Sequence, residues 1–187
     1  MDKFNHLHVH SHYSILDGMS KVPDLINKCL KTGMHAMALT NHGNMFGIKD
    51  LVDTAGKING KCKKAVKECK ENIEKETDPA KKAELEAQLP ELEKKAAEFI
   101  PFKPIIGIEA YCAHRTLYDK DKSFKEINAE TGKERIVDRS GWHLILLAKN
   151  QTGYHNLCKL ASIAYTEGFY DRPRIDHNVL EKWHEGV

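Results

Sequence analysis

The stretch HLHVHSHYS, residues 6–14, places a histidine at every second position, giving His6, His8, His10 and His12. Leu7 and Val9 stand between them, and this alternation of apolar and imidazole side chains predicts a β-strand. Residues two apart on a strand share one face, about 6.6 Å apart along the chain. Because neutral imidazole is the commonest metal ligand near neutral pH, this face is predicted to bind metal. The alternative is an edge strand whose solvated histidines bind nothing.

The residues that follow alternate predicted helices with short apolar segments. A helix is predicted after Ser20, taken as its N-cap, and ends at Gly33. HAMALT, residues 35–40, is typical of a buried strand, and a second helix is predicted from about Ile48 to Lys57. This order predicts an α/β fold in which helices cover a parallel sheet or barrel.

Residues 58–100 interrupt this order with a segment rich in Lys, Glu and Ala. Asp78 and Pro79 are a typical N-cap and first helical residue. Two helices are therefore predicted around a turn at Thr77–Pro79, and Pro90 is expected to kink or divide the second. One interpretation is an arm for a partner or for nucleic acid. Because the charges nearly cancel, the favoured interpretation is a solvated helical hairpin inserted between two core elements.

The rest of the chain returns to apolar strands and an amphipathic helix. FKPIIGIEAYCA, residues 102–113, predicts a strong strand, and the polar residues 114–140 predict a long surface loop or hairpin. WHLILLAK, residues 142–149, predicts the next strand. An amphipathic helix ends near Gly168, and a short helix is predicted from about Asp176.

The composition is that of one globular domain with 187 residues, a net charge of +2 and five cysteines. The charge is too small to predict a nucleic-acid surface by itself. An odd number of cysteines without paired spacing predicts reduced thiols in a cytoplasmic protein. No apolar run approaches the roughly 18 residues that span a bilayer, and the N-terminus lacks a signal-peptide core, so we expect no membrane contact.

Ligand-type side chains lie at the predicted carboxyl ends of strands, where α/β active sites form. They are His8, His10, Asp17, His42 and Glu109. Histidines combined with carboxylates match Zn, Mn or Fe better than Mg. Two such ions about 3.5–4 Å apart would bind a phosphoryl group and activate a water, so phosphoester hydrolysis is the predicted reaction class.

His143 does not fit a simple parallel sheet, because it stands at the start of its predicted strand. Either this strand runs antiparallel, which would bring His143 to the same end as the other ligands, or the histidine is structural. The residue order alone leaves both alternatives open.

Four segments together resemble the PHP (polymerase and histidinol phosphatase) domains of bacterial replicative DNA polymerase III alpha subunits. They are HLHVHSHYSILDG, ALTNHGNMFG, KPIIGIEAY and HLILLAKNQTGYHNLCKLASIAYTEGFYDRPRID. The histidine motif alone would indicate only the PHP superfamily, whereas NQTGYHNLCKLASIAYTEGFYDRPRID indicates the polymerase branch. The resemblance covers nearly the whole chain apart from residues 58–100.

This resemblance implies a distorted seven-stranded α/β barrel, similar to a TIM barrel, with two to three divalent metals (Zn, Mn or Fe) at one end. By position, it assigns the metal ligands to His8, His10, Asp17, His42, Glu109 and His143, and it therefore favours the ligand interpretation of His143. His6 and Asn41 correspond to positions beside the ligands. In the family the position of Asn41 is usually Asp, and an amide still accepts hydrogen bonds but carries no charge.

The family pattern also continues with a Cys ligand and an Asp-x-His pair that this chain does not reach. We therefore expect residues 1–187 to be a PHP domain fragment with an incomplete barrel, inactive alone. The parent would be a DNA-directed DNA polymerase that contacts DNA, the rest of its own chain and other replisome subunits. In some members of the family the PHP domain is a 3′–5′ proofreading exonuclease.

Two other functions compete with that interpretation. One is a stand-alone PHP phosphatase acting on a small phosphate monoester, against which the segment TEGFYDRPRID argues. The other is a catalytically silent structural or interaction module. Arg172 and Arg174 in that segment contact either DNA or the neighbouring polymerase domain, and the resemblance slightly favours the domain interface.

Overall fold

The computed structural model describes residues 4–139 and 141–187. The helices within this part of the chain are α1 (Val22–Lys31), α2 (Ile48–Lys75), α3 (Pro79–Glu98), α4 (Gln151–Thr166) and α5 (His177–Trp183). The strands are β1 (Ala36–Leu39), β2 (Lys103–Ala113), β3 (Lys125–Ile127), β4 (Glu134–Ile136), β5 (Gly141–Leu147) and β6 (Arg174–Ile175). None of the helices among these residues is long and apolar enough to cross a membrane.

Strand β2 is the centre of a mixed four-stranded sheet. Its first residues pair in parallel with β1, from Ala36 opposite Lys103 onwards. Its second half pairs antiparallel with β5, and residues near its end pair in parallel with β6. The mixed α/β architecture agrees with the predicted class, whereas the closed seven-stranded barrel stays a prediction.

The histidine stretch lies along β1 but does not form the regular strand that its alternation predicts. Ala38 donates its backbone N–H to the carbonyl of His6 at 2.8 Å, and Thr40 donates to Val9 at 2.9 Å. Between these two hydrogen bonds the histidine stretch advances by three residues, whereas the segment opposite, residues 38–40, advances by two. The histidine stretch therefore contains one extra residue, which breaks the alternation as a β-bulge does. Val9 packs against the core while Leu7 is 52% exposed.

Helix α1 begins one residue later than predicted, because its N-cap is Lys21 rather than Ser20. No side chain caps this end of the helix, and a proline in its first turn favours the helical backbone there. The predicted stop is observed, since Gly33 follows the helix with φ of 79°.

Helix α2 continues to Lys75 instead of ending near Lys57, so the charged segment begins without a break in the helix. The reason is that residues 58–75 are mostly good helix formers. The turn at Thr77–Pro79 is observed, and the Asp78 side chain accepts a hydrogen bond from the N–H of Ala80 at 2.9 Å. Helix α3 runs through Pro90 rather than dividing there.

Two groups of buried apolar side chains flank β2. The first lies between α1, β1 and the start of α2, and it includes Val22, Ile26, Met37, Leu39, Leu51 and Phe102. The second lies between β2, β5 and α4, and it includes Ile108, Leu146, Leu157, Leu160 and Ile175. Because β2 is held from both sides, the middle of this strand is a rigid place for a functional side chain.

Candidate metal centre

All six predicted ligands come together at one place. They form three overlapping groups whose ligand atoms lie within 4.8 Å of one another: His8, His10 and Glu109; His10, Asp17 and His42; and His42, Glu109 and His143. Among the described residues no other cluster of His, Cys, Asp or Glu meets this criterion. The segments that meet here are the histidine stretch with its following loop, the turn after β1 that contains His42, the middle of β2 and the start of β5.

Glu109 is the centre of the cluster, and its side chain is only 4% exposed. One carboxylate oxygen lies 3.0 Å from His8 Nε2 and 2.5 Å from His10 Nε2, and the other lies 2.9 Å from His143 Nδ1. Burial by itself would raise the pKa of Glu109. The hydrogen bond with His8 and the positive charge of His42, His10 and His8 when protonated outweigh it and lower the pKa overall. The carboxylate is therefore ionised at neutral pH.

Asp17 connects two of the histidines from the opposite side. Its oxygens lie 2.8 Å from His42 Nδ1 and 3.1 Å from His10 Nδ1. Burial acts to raise the pKa of Asp17, but hydrogen bonds from His42 and Ser14 and the charges of the two histidines lower it overall. The loop that carries Asp17 is tight, since a Cβ on Gly18 would lie 2.0 Å from the carbonyl oxygen of Ser11.

His42 is held rigidly by its neighbours. Its backbone N–H donates to Ser14 Oγ at 2.8 Å, and its ring lies between Tyr111, stacked at 4.6 Å, and His143, at 4.5 Å between centroids. The buried Nε2 atom of His42 has no hydrogen-bond partner among the described residues. A buried polar atom without a partner is costly, and a cation at this point would satisfy it.

The donor set fits a transition metal. The Nε2 atoms of His8 and His10 are 3.1 Å apart and face the same Glu109 oxygen. Imidazole nitrogens converging with carboxylate oxygens are the ligands of Zn, Mn and Fe. These side chains could hold such ions, as the sequence predicts.

The chain matches the PHP domain family over residues 6–187. It belongs to the PHP domain family. It is 43% identical over 185 residues to the DNA polymerase III subunit alpha of Borreliella burgdorferi, a match covering 99% of this chain and 11% of that relative. It is 35% identical over 184 residues to the Aquifex aeolicus subunit, covering 98% and 12%, and 34% identical over 187 residues to the Thermus aquaticus subunit, covering 99% and 11%. The chain thus spans about a tenth of these relatives.

The PHP domain brings His143 into the site because β5 runs antiparallel to β2. His143 is paired with Tyr111, so the start of β5 lies beside the end of β2. Of the two alternatives that the sequence leaves open, the antiparallel one is therefore correct.

Asn41 and His6 both lie near the cluster but make different contacts. The buried side-chain oxygen of Asn41 accepts hydrogen bonds from the N–H and the hydroxyl of Ser11, at 2.8 and 3.0 Å. Asn41 therefore holds the histidine stretch against β1. His6 lies along the same groove as His8 and His10, but its ring contacts Phe4 at 4.8 Å.

Arg174 is fully buried, so the prediction that it contacts DNA or a neighbouring domain is wrong. Its guanidinium donates to the backbone carbonyls of Gly168 at 3.1 Å, Leu117 at 2.9 Å and Asp119 at 3.1 Å, and also to that of Asp138. Arg172 is exposed, and its guanidinium lies 5.7 Å from the centre of the Tyr111 ring. Of these two arginines, Arg172 is therefore the one that is available for an external contact.

Sequence reasoning missed Tyr111, whose ring stacks on His42 and lies beneath the guanidinium of Arg172. A signal was present, because Tyr111 stands two residues after Glu109 and therefore shares its strand face. Ser14, which positions His42, carried no such signal, since its contact depends on the fold of the loop.

Proposed function

We propose that this chain belongs to the PHP domain of a bacterial replicative DNA polymerase III alpha subunit, and that in the intact protein this domain is a metal-dependent phosphoesterase that removes nucleotides from the 3′ end of DNA. The proposal is carried by the convergence of Glu109 and five other ligand-type side chains at one place. The similarity to polymerase subunits over nearly the whole chain supports the substrate class. Its partners would then be DNA, the rest of the polymerase chain and other replisome subunits in the cytoplasm.

His8, His10, Asp17, His42, Glu109 and His143 would hold two or three divalent ions. Bound ions would supply Lewis acidity for the phosphoryl group and for an attacking water. In the reaction one water adds to phosphorus and the bond from phosphorus to O3′ breaks. The products are a nucleoside 5′-monophosphate and a strand that keeps a 3′ hydroxyl. The ionised carboxylates of Glu109 and Asp17 hold the imidazoles in their orientation, and the exposed Arg172 beside the site would bind a substrate phosphate.

Metal content tests the first part of this proposal. The purified chain, the His8→Ala/His10→Ala variant and a His12→Ala control would be equilibrated with Mn²⁺ or Zn²⁺ and their bound metal measured. His12 belongs to the same stretch, but its ring contacts Tyr13 and lies outside the three groups. We expect bound metal in the wild type and in the control and its loss in the double variant. Equal metal content in all three would contradict the assignment.

Hydrolysis tests the second part, in the full-length polymerase that contains this chain. We expect degradation of single-stranded DNA from the 3′ end, abolished by His8→Ala/His10→Ala and kept by His12→Ala. Metal binding with hydrolysis of a small phosphate ester but not of DNA would favour the stand-alone phosphatase. Metal binding without any hydrolysis would favour a structural module.

A further inference from the structure

A cavity of about 210 Å³ opens directly beside the metal cluster. It is lined by Asp17 and His42 of the cluster and also by Phe46, Tyr165 and Arg172. A molecule bound in this cavity therefore contacts the cluster, an aromatic wall formed by Phe46 and Tyr165, and a cationic side chain.

The aromatic wall is exposed to solvent. Phe46 is 67% exposed and Tyr165 is 43% exposed, and their ring centroids lie 6.5 Å apart. Phe169 extends the row, 6.3 Å from Tyr165. Large aromatic side chains left in water next to a polar site are typical of a binding surface.

Phe46 is rigidly linked to the ligand His42. Between them, the Asn44 side chain donates to the carbonyls of Tyr13 and His42, at 3.2 and 3.1 Å, and accepts from the N–H of Phe46 at 3.1 Å. The distance between the aromatic wall and the cluster is therefore set by a hydrogen-bonded turn rather than by a loose loop.

Arg172 is presented by a similarly ordered turn. Tyr170 donates its N–H to the carbonyl of Arg172 at 3.0 Å, and Asp171 between them has φ of 59°. The Asp171 carboxylate lies 3.2 Å from Arg139. Among residues 4–139 and 141–187 no carboxylate forms an ion pair with Arg172, so its positive charge is available to a phosphate.

We propose that this cavity binds the last nucleotide of a single-stranded 3′ end, with its base against Phe46 and Tyr165 and its phosphate near Arg172. The proposal rests on the proposed function, because it places the scissile phosphate at the cluster. A small phosphate monoester without an aromatic ring would make no stacking contact with the aromatic wall, whereas every base has a face that stacks on an aromatic ring. Stacking would accept any of the four bases.

Binding by the purified chain tests this inference without any need for turnover. Two labelled DNA strands would be compared by fluorescence anisotropy, identical except that one ends in an ordinary nucleotide and the other in an abasic one. We expect the wild type to prefer the strand with the terminal base, and Phe46→Ala or Tyr165→Ala to weaken its binding roughly 5- to 150-fold, the range for one stacked base. Neither variant should change binding of the abasic strand.

Matched variants separate stacking from a folding defect. Phe124 is 43% exposed, as Tyr165 is, but its ring packs against the Arg115 guanidinium outside this cavity. Phe124→Ala should therefore leave DNA binding unchanged. Tyr165→Phe keeps the ring and should keep the preference for the terminal base.

Metal content, measured on the same samples, separates this inference from the proposed function. A wild type that holds metal but binds both strands equally would overturn the nucleotide pocket and leave the metal site standing. In that case the aromatic wall would be assigned to a protein contact. A preference for the terminal base without bound metal, in this chain and in the full-length polymerase that contains it, would keep the pocket and contradict the proposed function.

Discussion

At the scale of single residues, the Glu109 carboxylate lies within hydrogen-bond distance of His8, His10 and His143. A carboxylate buried on a central strand would be costly alone, and here the histidines around it compensate for the lost water. The same arrangement provides the negative charge that a cluster of divalent ions needs.

Replacement of Glu109 by Gln keeps the size of the side chain and removes its charge. We expect metal affinity to fall by more than about 100-fold, the upper end for residues that only support a ligand. Titration calorimetry with Mn²⁺ measures this. Glu134→Gln, which removes an exposed carboxylate paired with Lys125, should bind as the wild type does. Unchanged affinity in Glu109→Gln would exclude Glu109 as a ligand.

The lowered pKa of Glu109 predicts how the stability of the metal-free chain depends on pH. Its pKa is lower in the folded than in the unfolded state, so its contribution is present above the unfolded value, about 4.3, and is lost as pH falls through the folded value. The difference in free energy of unfolding between wild type and Glu109→Gln, measured in urea, should therefore shrink below about pH 4.3. A difference independent of pH would show that the interaction is not ionic.

At the scale of elements, β2 is the strand that organises the site, because β1, β5 and β6 all pair with it. Gly107 marks the point where its partner changes from β1 to β5. A Cβ there would lie 2.6 Å from Leu147 Cδ2 and 2.8 Å from both the Leu146 carbonyl oxygen and Thr40 Cγ2.

Gly107→Ala is therefore expected to destabilise the chain by about 1–3 kcal/mol, because the backbone of β5 must move. Gly60→Ala is the matched control, since it lies inside α2 with no atom near the added methyl group. It should stabilise the chain by about 0.5–1 kcal/mol. Urea unfolding of the two variants checks this, and effects of the same sign would contradict the close contact at Gly107.

The histidine stretch depends on a different device, the hydrogen bonds from Ser11 to Asn41. Asn41→Ala would leave two buried donors without a partner, at a cost of about 1–3 kcal/mol, and would loosen His8 and His10. We expect metal affinity to fall about 10- to 100-fold as well. Asn156→Ala on α4 is a control, because its amide donates to the Glu185 carbonyl, at 2.8 Å, and lies outside the three groups of ligands. Lower stability with unchanged metal affinity would show that Asn41 does not position the ligands.

At the scale of the whole molecule, Arg174 ties the segment that contains β3 and β4 to the C-terminal part of the chain. Its guanidinium bonds four backbone carbonyls, and the Asp138 carboxylate nearby pairs with Arg115. Asp176 adds a second connection, since its carboxylate accepts from the N–H of Leu117 at 3.0 Å.

Arg174→Met should destabilise the chain by at least about 3 kcal/mol, because it leaves several buried carbonyls without a donor. Arg172→Met, two residues away on the exposed turn, should change stability by less than about 0.5 kcal/mol and weaken DNA binding instead. Thermal unfolding and anisotropy measure both effects. The reverse pattern would contradict the assignment of one arginine to the interior and the other to the site.

The sequence by itself determined the α/β class, the helical hairpin turn at Thr77–Pro79, and five ligands of the candidate centre at predicted strand ends. The tertiary structure decided the position of His143, the exclusion of His6 from the three groups of ligands, and the different environments of Arg172 and Arg174. The physical reason is that local pattern reports which face a side chain takes within its own segment. The direction of β5, the extra residue in the histidine stretch and the burial of the Arg174 guanidinium depend instead on which segments pack together.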